Sequence, residues 1–204
     1  SYDNACSYSQ GNGFDMDSVN HPESIERLQL LISELIDITA NEFTTYSSRG
    51  FNPVMKFGSD CGNVHFSVTN FINKYYPDIS ANLVIGKVNY KNRCLFDFNR
   101  EKSERWASGD KSDILDCHTW VNIGDNIILD CTIGTYLNTR CSLLKNQHIK
   151  HKRYGGIYYR SPLEELCMPI SGANHRSPRA MKNLEYKPVL IGCAALECIA
   201  PKYP

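Results

Sequence analysis

The chain has 204 residues, with 22 Lys and Arg against 22 Asp and Glu, six His, nine Cys and 42% apolar residues. At this length a compact fold buries roughly 70% of the surface its unfolded chain exposes, so a single hydrophobic core needs neither disulfide nor metal as a staple. A formal charge of zero excludes a global electrostatic grip on nucleic acid or an anionic membrane, and no apolar run approaches the roughly 20 residues that span a bilayer.

Residues 1–20 are polar, turn-rich and without period, which reads as a flexible N-terminal arm before one domain over 21–204. They show neither the basic nor the apolar region of an ordinary export signal, so the expectation is a cytoplasmic protein or one secreted by another route. Pro22 opens a helix over about 22–42, in which Ile25, Leu28, Ile32, Leu35, Ile36 and Thr39 share one face and Glu23 and Glu26 favour the positive end of the dipole. Residues 44–59 read as a loop punctuated by Gly50, Pro53 and Gly58. Val64, Val68, Phe71, Ile72 and Tyr75 then mark a second helix, with Asp60 as its N-cap, Cys61 as its first residue and Pro77 as its stop.

Residues 81–90 and 94–98 read as strands, and the charged stretch 99–113 as an exposed crossing loop. Two more strands, 117–123 and 127–132, flank a turn at 124–126. Residues 136–147 and 162–167 are helical candidates, and 186–194 reads as a late strand, where Pro188 points to a sheet edge or a strand start. The sum is an α+β domain with N-terminal helices packed on a mainly antiparallel sheet.

The hairpin register follows from residue types. A three-residue loop pairs Ile123 with Ile127, Val121 with Leu129 and Thr119 with Cys131, giving a continuous apolar face, whereas a two-residue loop would mate Asn122 with Ile127. Asn126 can take the left-handed conformation such a loop requires. The opposite face then carries His118, Trp120 and Asn122 against Thr132, Asp130 and Ile128, with His118 and Asp130 as diagonal neighbours. A carboxylate beside an imidazole fixes one tautomer and leaves the other ring nitrogen free as a base. Asp116 and Asp125 compete as orienters, but Asp125 sits in the loop tip and Asp116 precedes His118 on its own strand.

A nucleophile completes such a set. Nine cysteines cannot all pair within one chain, so at least one thiol is free, and without an export signal all nine read as reduced. Cys61 is the candidate, because a helix N-terminus favours thiolate over thiol and supplies N–H groups for an oxyanion. Adjacent Asp60 opposes that, so His118 has to supply most of the activation. Cys117 and Cys131 alternate to the other strand face and read as buried thiols.

Cys61-Gly-Asn before an amphipathic helix, then Ala-Asn-Leu-Val-Ile-Gly-Lys-Val, His118-Thr-Trp-Val and Ile-Leu-Asp130-Cys-Thr132, resembles the transglutaminase-like branch of papain-like thiol enzymes over about residues 58–135. The resemblance implies a papain-like core, Cys61 as nucleophile, His118 as general base and acid, and Asp130 as orienter. The His-to-Asp interval of 12 is slightly shorter than that family usually shows. The family includes peptidases, protein cross-linking transglutaminases, deamidases and small-amide hydrolases, all working through a thioester. The activity expected is that of a cysteine peptidase or protein glutamine deamidase with a protein, peptide or small-amide substrate and no cofactor. The resemblance extends to secreted effector or toxin domains.

Trp120 either borders the substrate cleft or packs in the core. His148 with His151, and Cys193 with Cys198, do not make a convincing zinc set. Residues 145–160 are locally basic with interleaved Tyr, a pattern that reads first as a solvated face or cleft border hinged at Gly155 and Gly156. The rival reading is a non-catalytic module that binds protein or nucleic acid through that segment.

Overall fold

In the computed structural model of the chain, the residues described are 1–16, 25–50, 60–112, 114–124, 127–134, 136–137, 158–160 and 184–199. They contain helices α1 (Tyr2–Gly11), α2 (Ile25–Ser48), α3 (Cys61–Tyr75), α4 (Arg100–Ala107) and α5 (Cys193–Ile199). The strands are β1 (Ala81–Tyr90), β2 (Arg93–Phe96), β3 (His118–Ile123), β4 (Ile127–Asp130), β5 (Tyr158–Arg160) and β6 (Leu184–Ile191). Every strand pair is antiparallel, so the domain is α+β, as the order of elements predicts.

β1 is the spine of the sheet. Its residues 84–90 pair with β6 on one edge, while on the other edge 81–86 pair with β3 and 88–90 with β2. Covered on both faces, it is buried almost throughout, which is why its sequence is a nearly unbroken apolar run instead of an alternating one. Beyond β3 the sheet continues through β4 to β5. β6 pairs only with β1 among the described residues, so Pro188 does sit on an edge strand, opposite a register shift at Ile85 and Gly86. Gly86 is required there: a Cβ would lie 2.2 Å from the Lys187 carbonyl oxygen and 2.8 Å from Trp120 Cη2.

Alternation along β3 and β4 divides the core. Val121, Ile123, Leu129 and Cys131 pack with Leu28, Leu31, Ile32 and Leu35 of α2 and Ile72 of α3. Trp120 points the other way, into a cluster with Val84, Val88 and Ile191 that Ala5 of α1 joins. The hairpin pairs Ile123 with Ile127 and Val121 with Leu129, the register of a three-residue loop. The left-handed backbone falls at Gly124 (φ 60), and Asn126 lies outside the described residues.

Four segments differ from the sequence reading. The N-terminal residues form α1 instead of a flexible arm: Ser1 caps it, Ala5 and Ser9 are buried, and Ser9 Oγ accepts a 2.8 Å hydrogen bond from the Ile191 N–H of β6. Helix α2 runs on to Ser48, past the expected loop start. The charged crossing segment contains α4, whose N-cap Asn99 accepts a 2.9 Å bond from the Lys102 N–H. The second strand also starts earlier than 94, because Lys91 and Asn92, both at positive φ, make a two-residue turn that pairs Tyr90 with Arg93. Residues 133, 134, 136 and 137 are helical, whereas 138–147 and 162–167 lie outside the described residues. So does the basic Tyr-rich segment apart from β5, together with Gly155 and Gly156. Among the described residues no helix is long and apolar enough to cross a membrane.

Candidate active site

Helix α3 brings its first residue, Cys61, against the start of β3, where His118 is the first strand residue. Asp60 holds the N-cap position but makes no side-chain bond to the helix backbone; its Oδ1 accepts from Asn63 Nδ2 at 2.7 Å. Asp60 therefore leaves the first-turn N–H groups beside the thiol to other acceptors.

Asp130, the last residue of β4, lies diagonally from His118 as the register requires, and its Oδ2 accepts from His118 Nε2 at 2.6 Å. The carboxylate is fully buried and heavily bonded. Its Oδ1 accepts from the Thr132 N–H and Ile133 N–H at 2.9 Å each and from Thr132 Oγ1 at 3.2 Å, while Oδ2 also accepts from the Tyr186 hydroxyl at 2.9 Å. The Asp-x-Thr pattern is thus a local turn that aims one carboxylate oxygen at the chain and the other at the imidazole.

Electrostatics couple the three groups. Burial alone would raise the Asp130 carboxyl, but the His118 imidazolium outweighs it and holds Asp130 well below the usual carboxylate range. Burial alone would lower His118, yet the Asp130 carboxylate and then the Cys61 thiolate push it up to about 10. Burial alone would raise Cys61, and the charge of the His118 imidazolium, with the backbone and side chain of Thr119, brings the thiol below its ordinary value. These directions favour a thiolate–imidazolium pair in the neutral range. Because Nε2 is committed to Asp130, Nδ1 is the ring nitrogen left for the thiol, and among the described residues it is buried without a hydrogen-bond partner. The imidazole stacks on Phe96 of β2 (centroids 4.7 Å, 22°) and on Trp120 (6.4 Å, 25°). No family model, curated protein or solved structure matches this chain.

A second histidine, absent from the sequence reading, underlies the site. His65 lies one helical turn after Cys61 and is fully buried. Its Nδ1 donates to the Cys61 carbonyl oxygen at 2.8 Å and lies 3.2 Å from Thr119 Oγ1, while its Nε2 accepts from the Cys131 N–H at 2.8 Å. A carbonyl accepts and an amide N–H donates, so these two bonds put a ring proton on Nδ1, and Nε2 also lies 3.4 Å from Asp130 Oδ1. His65 thereby ties the helix of the thiol to the chain just beyond Asp130. Tyr186 is the other missed residue, carried in from distant β6 by its pairing with β1. The signal for His65 was the spacing of four from Cys61 on one helix face; none pointed to Tyr186.

A cleft of about 230 Å³ opens on the thiol, lined by Cys61, Phe96, Leu115, Asp116, Cys117, His118, Thr132 and Tyr136. Trp120 is not on its wall. It is fully buried behind His118, with Nε1 donating to Asn122 Oδ1 at 3.2 Å, so its place is the core. Cys131 is buried as expected, but Cys117 lies one residue before β3, escapes the strand alternation and lines the cleft. Burial, with the charges of Cys61 and Asp116, pushes its thiol up, so Cys61 is the ionisable one of the two. Asp116 does not orient His118; its Oδ2 accepts from the Asp97 N–H at 3.1 Å. Asp125 lies outside the described residues. The seven described cysteines are free thiols, and among the described residues no group of three or more His, Cys, Asp or Glu is placed to hold a metal.

Proposed function

We propose that the chain is a thiol-dependent amide hydrolase or acyltransferase with a transglutaminase-like, papain-type core, acting as a peptidase or a protein glutamine deamidase. The observation that carries this reading is buried Asp130 bonded to His118, whose other ring nitrogen bonds nothing among the described residues, beside a thiol at a helix N-terminus that opens on the same cleft. In this mechanism the Cys61 thiolate adds to a carboxamide carbon, and the first-turn N–H groups of α3 stabilise the oxyanion. His118 Nδ1 gives its proton to the departing nitrogen as the C–N bond breaks, leaving a thioester. Nδ1 then takes a proton from water, whose oxygen displaces the thiolate and releases a carboxylate. A bound amine in place of water would give the cross-linked product of a transglutaminase.

Limiting iodoacetamide at mildly acidic pH, with the modified residue mapped by mass spectrometry, tests the assignment. Cys61 is expected to label at least tenfold faster than exposed Cys198, and His118→Ala to abolish that preference. Uniform slow labelling of all thiols would overturn the proposal.

A further inference from the structure

The cleft has a chemical bias that the three reacting groups do not supply. Its ionisable walls among the described residues are Cys61, His118, Asp116, the suppressed thiol of Cys117 and the phenol of Tyr136. A thiolate and an imidazolium cancel, and Asp130 is sealed behind His118, so Asp116 sets the sign of the space a substrate enters. No Lys or Arg is among the described lining residues. Lys87 and Lys102 are turned onto the Asp97 carboxylate at 2.9 and 3.2 Å, and Lys102 also onto the Asp97 carbonyl at 2.6 Å.

Asp116 is held in place. Its backbone N–H donates to the Ile114 carbonyl at 2.8 Å, and one carboxylate oxygen is fixed by the Asp97 N–H. It stands two residues before His118, in the segment that leads into β3. Phe96 and Tyr136, with centroids 4.5 Å apart and planes at 43°, form an aromatic wall beside it. A fixed carboxylate next to aromatic rings is the pairing that suits an ammonium or guanidinium, through charge and through the ring quadrupole. The volume of about 230 Å³ is below that of a drug-sized site and fits one extended side chain or a small amine.

We propose that Asp116 is a specificity residue selecting substrates that carry a positively charged nitrogen, a lysine or arginine side chain or a primary ammonium, next to the scissile carboxamide. This rests on the function proposed above. An acidic group in the same position would meet like charge in a partly desolvated cleft and be rejected.

Three small alkylating agents of similar size test it without knowledge of the substrate: 2-bromoethylammonium, iodoacetamide and iodoacetate. The readout is the labelling rate at Cys61 divided by that at Cys198 in the same sample, which removes intrinsic reagent reactivity. Asp116→Asn, whose side-chain oxygen can still accept the Asp97 N–H, is expected to lower the cationic-to-neutral ratio about tenfold and raise the anionic-to-neutral ratio by a similar factor. Asp116→Glu should keep most of the cationic preference. In the unaltered protein, raising salt to about 0.5 M should shrink that preference severalfold, which tests the idea even where a variant fails to fold. Ratios unmoved by both Asp116→Asn and salt, with Cys61 still the fast thiol, would overturn the specificity role alone. Loss of any Cys61 preference would overturn the function beneath it.

Discussion

Removing the His65 ring leaves the buried Cys131 N–H without its acceptor and takes the side-chain donor from the Cys61 carbonyl, which the α3 backbone still bonds. An unsatisfied buried group costs about 1–3 kcal/mol. His65→Ala should therefore destabilise the fold, but a positioning role predicts something further. The ring fixes the backbone of Cys61 and touches Thr119 Oγ1, and Thr119 itself helps hold the thiol down. With the ring gone, the pH profile of Cys61 alkylation should move toward the ordinary thiol value and the rate at neutral pH should fall about tenfold, the equivalent of one pH unit. His65→Gln offers one N–H donor and one carbonyl acceptor and should recover much of the profile. A stability loss in His65→Ala with an unmoved alkylation profile would reduce His65 to a structural bridge.

The elements that the sequence made legible are those whose burial is written in their own periodicity. Helix α3 starts at Cys61 and ends before Pro77 as the Asp60 cap, the apolar spacing and the proline predict, strand β1 matches the expected 81–90, and the register of the β3–β4 hairpin followed from pairing apolar residues alone. That register also placed His118 diagonal to Asp130, so the central contact of the site was legible before any tertiary fold. Helix α1 was not, because it buries small residues, Ala5 and Ser9, against a strand some 180 residues away. Helix α4 was hidden by its charge; the capping oxygen of Asn99 was the overlooked signal. Tyr186 and His65 enter the site only through the pairing of β6 with β1 and the packing of α3 on β3, neither of which a local pattern reports. Edge strand β6 can be tested through Gly86. In Gly86→Ala the new methyl meets the Lys187 carbonyl at 2.2 Å, a backbone atom that yields only if β6 shifts. Overpacking of this kind costs about 1–3 kcal/mol and should lower the thermal midpoint by roughly 3–10 °C. The shift also draws Tyr186 off Asp130, so the rate of Cys61 alkylation should fall with it. An unchanged midpoint would mean that β6 does not press on Gly86 as described.

Across the whole molecule, equal numbers of acidic and basic residues keep the background charge term small near neutral pH, so single coupled groups can dominate how stability varies with pH. The native Cys61–His118 pair holds one proton, on His118, once the lowered thiol has ionised. The unfolded chain above about pH 6.5 and below about pH 8.5 also holds one proton, on the thiol, because a free histidine is then neutral. From the pH at which the native thiol has ionised up to about 8.5, native and unfolded states bind equal numbers of protons, so this pair contributes almost no slope there. Cys61→Ser breaks the balance. Asp130 still raises His118, so the native state keeps the imidazolium proton while the unfolded state has lost its own, and bound protons now favour the native state by one. Stability should then fall as pH rises, by up to about 1.4 kcal/mol per pH unit from about 6.5 until His118 itself deprotonates. That point lies below the value of about 10 held with the thiolate present. Urea unfolding at half-unit steps from pH 6.5 to 8.5 should give a nearly flat line for the unaltered chain and a descending one for Cys61→Ser. Parallel lines would mean that the proton does not pass from thiol to imidazole on folding, and the nucleophile would lose its activation.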